Sequence, residues 1–152
     1  ILGLENLNRT YKWIDLDYLN PPKSFYKFKV FIPQAIGSGA FGEVLSTPLV
    51  APPRVGATET FLSIGGFDTR EEAEACLKYI KTKFARAMLG ILKITQAATR
   101  DKWAKVPLQD FTSNSDIDWT QSINDIDQQL YDKYEFTEEE IDFIESKVKE
   151  ME

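Results

Sequence analysis

Residues 36–44, Ile-Gly-Ser-Gly-Ala-Phe-Gly-Glu-Val, carry the spacing of the glycine-rich loop that covers nucleotide phosphates in protein kinases. That loop works only with a lysine on the following strand, a catalytic aspartate and a metal-binding aspartate. Here the next stretch reads Val50-Ala51-Pro52-Pro53-Arg54, and neither His-Arg-Asp nor Asp-Phe-Gly follows. A dinucleotide-binding version also fails, because Pro48, Pro52 and Pro53 prevent a helix from opening behind Gly42. The expectation is a glycine-rich turn. Asp116, Asp118, Asp125 and Asp127 lack the central glycine and closing glutamate of a calcium loop, and they lack the lysine that follows paired acids in nuclease sites. They read as helix caps and solvated surface, with no metal site. The chain has no histidine and one cysteine, Cys76. This removes the commonest general base, the Ser-His and Cys-His nucleophile pairs, and the usual zinc ligand sets. No catalytic constellation is expected.

Asn20-Pro21-Pro22 has the first three residues of the Asn-Pro-Pro-aromatic motif that holds a flipped adenine in N6-methyltransferases, but the fourth residue is Lys23. No cofactor-binding glycine motif precedes it, so it reads as a turn.

The elements that must position any site follow from periodicity. Apolar residues at Ala73, Cys76, Leu77, Ile80, Phe84, Ala87, Met88 and Ile91 keep a 3.6-residue step, which predicts one long amphipathic helix from about residue 68 to 91. Thr69 with Glu72, or Asp68 with Glu71, has capping-box spacing at its start. Its polar face carries Lys78, Lys81, Lys83 and Arg86, followed by Lys93, Arg100, Lys102 and Lys105. Strands are expected at residues 11–16, 25–32, 43–46, 58–64 and 105–111, with 47–56 irregular and 95–105 a polar basic loop. Two short helices close the chain, with apolar positions at Ile123, Ile126, Leu130 and Tyr134, then Ile141, Ile144, Val148 and Met151. Thr137 and Glu140 form a capping box for the second. The predicted fold class is α+β: a small mixed or antiparallel sheet on one long helix, followed by a helical hairpin. The division expected is an α/β core at 1–112 and an acidic helical tail at 113–152.

Charge is segregated. The net of −6 splits into 0 for residues 1–69, +5 for 70–105 and −11 for 106–152. The basic block suggests an anionic partner, and the acidic tail disfavours a helix-turn-helix DNA reader. No apolar run is long enough for a membrane span and there is no signal-peptide pattern; Cys76 on the apolar face suits a core residue in a reduced, cytoplasmic setting. A first residue of Ile1 suggests a piece of a longer chain.

Several phrases together resemble one family: Phe31-Ile32-Pro33-Gln34-Ala35, Leu45-Ser46-Thr47-Pro48, residues 58–65 (Thr-Glu-Thr-Phe-Leu-Ser-Ile-Gly), residues 79–86 (Tyr-Ile-Lys-Thr-Lys-Phe-Ala-Arg), Val106-Pro107-Leu108-Gln109-Asp110-Phe111, Ile117-Asp118-Trp119, and Ile126-Asp127-Gln128-Gln129-Leu130-Tyr131. In this order they are similar to the C-terminal target-recognition region of bacterial restriction–modification proteins, nearest the type IIG-like combined restriction enzyme–adenine-N6 DNA methyltransferases. The resemblance spans most of residues 25–150. It implies a DNA sequence-recognition domain, non-catalytic in isolation, behind an upstream methyltransferase domain of the same parent chain. S-adenosylmethionine, and magnesium where a restriction endonuclease is fused, would belong to those upstream domains. Double-stranded DNA is then the partner of the basic block. Lys78, Lys81, Lys83, Arg86, Lys93, Lys102 and Lys105 are expected to meet phosphates. Gln34, Gln96, Thr99 and Arg100 are expected to read base edges from the stretches at 34–41 and 95–103. A protein-interaction module that docks on a partner subunit through the acidic helical tail is the alternative.

Overall fold

The alternating stretch near residue 28 becomes the middle strand of a three-stranded antiparallel sheet. In the computed structural model, which describes residues 1–34, 40–92 and 99–151, β3 (Phe28–Pro33) lies between β4 (Leu49–Ala51) and β5 (Phe61–Phe67). Val30 is opposite both Val50 and Ile64, so one β-branched column crosses the sheet. Gly65 does not end β5 as expected. It adopts φ 75° where the β3–β5 register shifts between Phe28 and Val30, and a side chain there would collide with the Phe67 ring. The stretch expected to be irregular supplies β4, whereas residues 43–46 form no strand. A separate hairpin, β1 (Leu2–Glu5) with β2 (Asn8–Tyr11), is closed by Asn6 and Leu7, both at positive φ as a two-residue hairpin turn requires. Leu2 anchors it in a small cluster with Phe31, Ala51 and Phe61.

The long helix is two helices. α1 (Arg70–Lys81) starts at Thr69, whose hydroxyl accepts from the Glu72 N–H, and α2 (Lys83–Leu92) starts immediately after Thr82. Thr82 leaves helical geometry (ψ 150°) and its Oγ1 accepts the Ala85 N–H at 3.1 Å. A further short helix, α3 (Arg100–Trp103), interrupts the basic loop. Residues 105–111 pair with no strand: Pro107 has no N–H to give, and the segment is held by side chains, with Tyr79 Oη donating to the Pro107 carbonyl at 2.6 Å and Gln109 Nε2 donating to Tyr134 Oη at 2.8 Å.

The helical hairpin forms as α4 (Ile123–Lys133) and α5 (Glu138–Lys147), with the Thr137–Glu140 capping box in place. One core runs through the sheet, α1, α2, the 106–119 segment and both hairpin helices, so residues on either side of position 112 fill the same interior. Phe84, fully buried at its centre, stacks on Tyr134 at 4.9 Å and contacts Phe136. Burial of such a ring stabilises by roughly 1.5–3 kcal/mol. The architecture is α+β. No helix among the described residues is long and apolar enough to cross a membrane.

Candidate nucleic-acid interface

Burial sorts the basic residues into two groups. Lys83 and Arg86 are 6% and 3% exposed, so the expectation that they lie on an open electropositive face is corrected. The break at Thr82 starts a new helix whose first residues, 83–87, are all buried. Lys83 Nζ pairs with Glu145 of α5, and Glu145 also accepts from Tyr131 Oη at 3.0 Å. Arg86 Nε donates back to the carbonyls of Lys81 (2.9 Å) and Thr82 (3.3 Å), while its two terminal nitrogens are buried with no hydrogen-bond partner among the described residues. Lys78 is also engaged in the fold. Its ammonium donates to the carbonyls of Trp119, Thr120 and Gln121, tying α1 to the turn before α4.

The remaining positions differ. Lys81 and Lys102 are half-buried, and each interacts with other residues. Lys105, Thr99 and Arg100 are exposed, and Gln34 is half-buried at the end of β3, where its N–H bonds the Thr60 carbonyl at 3.0 Å. Thr99 occupies the cap position of α3 without using its side chain there. Lys93 and Gln96 lie outside the described residues.

Phe41 and Gly42, at the end of the first expected reading stretch, pack on α2 and on the end of α5. After residues 35–39, Phe41 lies so close to Gly90 that a side chain at Gly90 would come within 2.7 Å of the ring. This close approach explains a glycine inside α2 despite its helix cost of about 1 kcal/mol. Gly42 has φ 72° and sits on the end of α5: a Cβ there would be 2.4 Å from the Lys147 carbonyl, and the Gly42 carbonyl accepts the Lys149 N–H at 3.0 Å. The 93–98 stretch continues from the C-terminal end of the same α2, and α3 follows it. Phe41, at the end of the first stretch, therefore meets Gly90, near the C-terminal end of the helix that precedes the second.

The core of this scaffold is polar at one point that the sequence reading missed. Asp127 of α4, 1% exposed, caps α2 from a distance: Oδ2 accepts the Lys83 N–H at 2.9 Å and Oδ1 the Phe84 N–H at 2.8 Å. These are orphan donors of a helix start, normally met by a local side chain. Burial pushes the Asp127 carboxyl up to about 6; the two N–H donors oppose this, Glu145 adds to it, and Arg86 lowers it. Burial likewise lowers the Arg86 guanidinium, against the pull of Asp127. The signal was present in the sequence. Asp127 falls four residues after Ile123 and three before Leu130, on the apolar stripe of its helix.

Cys76 is buried and its thiol is pushed up to about 12, which suits a packing residue. Among the described residues, no group of three or more His, Cys, Asp or Glu is placed to hold a metal ion. A cleft of about 950 Å³ between α1 and residues 111–120 is rimmed by Glu71, Glu72, Glu74, Asp116 and Asp118, a charge that repels phosphate. The chain matches no family model, no curated protein and no solved structure.

Proposed function

We propose that the chain is a DNA sequence-recognition domain of a restriction–modification enzyme, with no catalytic role of its own. The observation that supports the reading is the close approach of Phe41, at the end of the first expected reading stretch, to Gly90 of α2, with Thr99, Arg100 and Lys105 exposed. Exposed side chains carried on a packed scaffold suit recognition, because they vary without disturbing the core. Arg100, Gln34, Gln96 and Thr99 carry the base-reading chemistry: guanidinium and amide groups match guanine and adenine edges in the major groove. Lys81, Lys93, Lys102 and Lys105 supply phosphate contacts; Lys78, Lys83 and Arg86 are structural. The parent's methyl transfer, with S-adenosylmethionine, belongs to an upstream domain.

Duplex binding measured against salt tests this reading. With about three to five phosphates contacted, the log–log slope is expected at roughly −3 to −4.5. Arg100→Glu with Lys105→Glu should flatten the slope, whereas Lys78→Gln should leave it unchanged. No binding at low salt, or a slope near zero, overturns the proposal.

A further inference from the structure

Residues 1–27 expose several large side chains. Leu7, Tyr11, Trp13, Ile14, Tyr18 and Tyr26 are all exposed, and Trp13 is fully uncovered. Exposed apolar side chains that come together mark binding sites, and Tyr11, Trp13 and Ile14 share one groove. Tyr11, Trp13 and Ile14 line a groove of about 480 Å³ together with Phe25 and Pro53, Arg54 and Val55. The charged side chains along it are Lys12 and Arg54, and no carboxylate lines it.

Arg54 is held there by backbone. It adopts φ 64°, a strained position for a residue with a side chain, and its N–H is fixed to the Phe25 carbonyl at 2.8 Å. Its side chain makes no ion pair among the described residues. Lys12 meets Glu5 at 3.1 Å, but both are exposed, and such a pair gives way easily to a stronger anion. The groove thus offers flat aromatic faces beside two available cations.

We propose that this groove binds an unpaired nucleotide of single-stranded nucleic acid, with the base stacked on Trp13 and Tyr11 and the backbone phosphate held by Lys12 and Arg54. Rings stack on every base, and cations beside them follow the phosphate chain; this is the chemistry of sequence-tolerant single-strand binding. An apolar protein partner would use the Leu and Ile side chains equally well, but would give no reason for Arg54, a cation with no ion pair among the described residues, beside the exposed Lys12. The site is separate from α3 and the Phe41–Gly90 joint, so it stands or falls independently of duplex recognition.

The test uses the whole chain and an eight-nucleotide thymidine oligomer, with binding followed by tryptophan quenching and by anisotropy of a labelled oligomer. Quenching on saturation is expected. Trp13→Ala should weaken binding by about 5- to 100-fold, the usual range for one lost stacking partner. Lys12→Glu with Arg54→Glu should weaken it and flatten its salt dependence. Trp13 is uncovered, so its replacement leaves the fold intact, and circular dichroism checks this. An abasic oligomer of equal length separates stacking from charge: it should bind far more weakly and without quenching. Equal affinity for the abasic chain, unchanged binding in Trp13→Ala, or displacement of no oligomer while an acidic tryptophan-bearing peptide quenches Trp13, would each overturn the proposal.

Discussion

The start of the chain and the junction of α1 with α2 treat side chains in opposite ways. Around residues 4–26, large rings are exposed, and the hairpin is anchored by Leu2, which also bonds Gly56 and Thr58 through its backbone, and by Arg9 on the Thr47 carbonyl. Around Thr82, charged groups are buried: Lys83, Arg86 and Asp127 are all more than nine-tenths covered. Apolar groups outside and ionic groups inside both cost free energy, and each needs a reason. Inside, Asp127 accepts from the Lys83 and Phe84 N–H groups and so ties α4 to the start of α2. Outside, Tyr26 meets Phe25 edge-on, but the Trp13 ring is uncovered, which is why it points to a ligand.

The comparison breaks most readily at Asp127. Asp127→Ala leaves the Lys83 and Phe84 N–H groups buried without acceptors and removes the nearby negative charge from Arg86. A loss of about 3–5 kcal/mol is expected, as for breaking a buried charged partner. Denaturant unfolding at pH 7 measures it, and a loss below about 1 kcal/mol would show that α2 does not depend on this cap.

A smaller effect comes from proton linkage. With its carboxyl raised from 3.8 to about 6, folded Asp127 holds a proton that the unfolded chain has released. Its contribution is complete below the unfolded value and declines as pH rises through the folded one, so stability should fall between about pH 4 and 6, by at most roughly 3 kcal/mol. The difference between wild type and Asp127→Asn, followed across pH 3.5–7, isolates this group. A difference that does not change with pH, or that changes in the opposite direction, would mean that the N–H donors outweigh burial.

The smallest effect is expected at the surface. Trp13→Ala should change unfolding free energy by no more than about 0.5 kcal/mol, as for exposed substitutions without partners. A loss above 1 kcal/mol would show that the ring supports the fold, and the contrast between the two regions would no longer hold.

Much of the fold was legible because local pattern decided it. The apolar stripes of α4 and α5, the Thr69 and Thr137 caps, and the central strand β3 all follow from spacing and residue type. The break between α1 and α2 was not legible, because the group that stabilises the new helix start lies more than 40 residues further on, in Asp127. The continuous apolar period across Thr82 therefore reads as one helix and places Lys83 and Arg86 on an open face that burial denies them. Short β4, between prolines, is made by pairing with β3 rather than by its own sequence. The segment at 105–111 shows the reverse case: its Val-Pro-Leu pattern looked like a strand, but its tertiary contacts are side-chain bonds to α1 and α4. At the candidate interface, composition identified basic residues but not which of them the core would enclose.

The proposed function requires that this scaffold present side chains that read DNA sequence. Selection from a randomised duplex library, with wild type and Arg100→Ala side by side, tests it most directly. Wild type should enrich one motif, and Arg100→Ala should lose preference at one base position, by about 1–3 kcal/mol, while keeping the rest. An identical motif from both proteins would remove Arg100 from the reading surface, and no enriched motif from wild type would contradict sequence recognition by this domain.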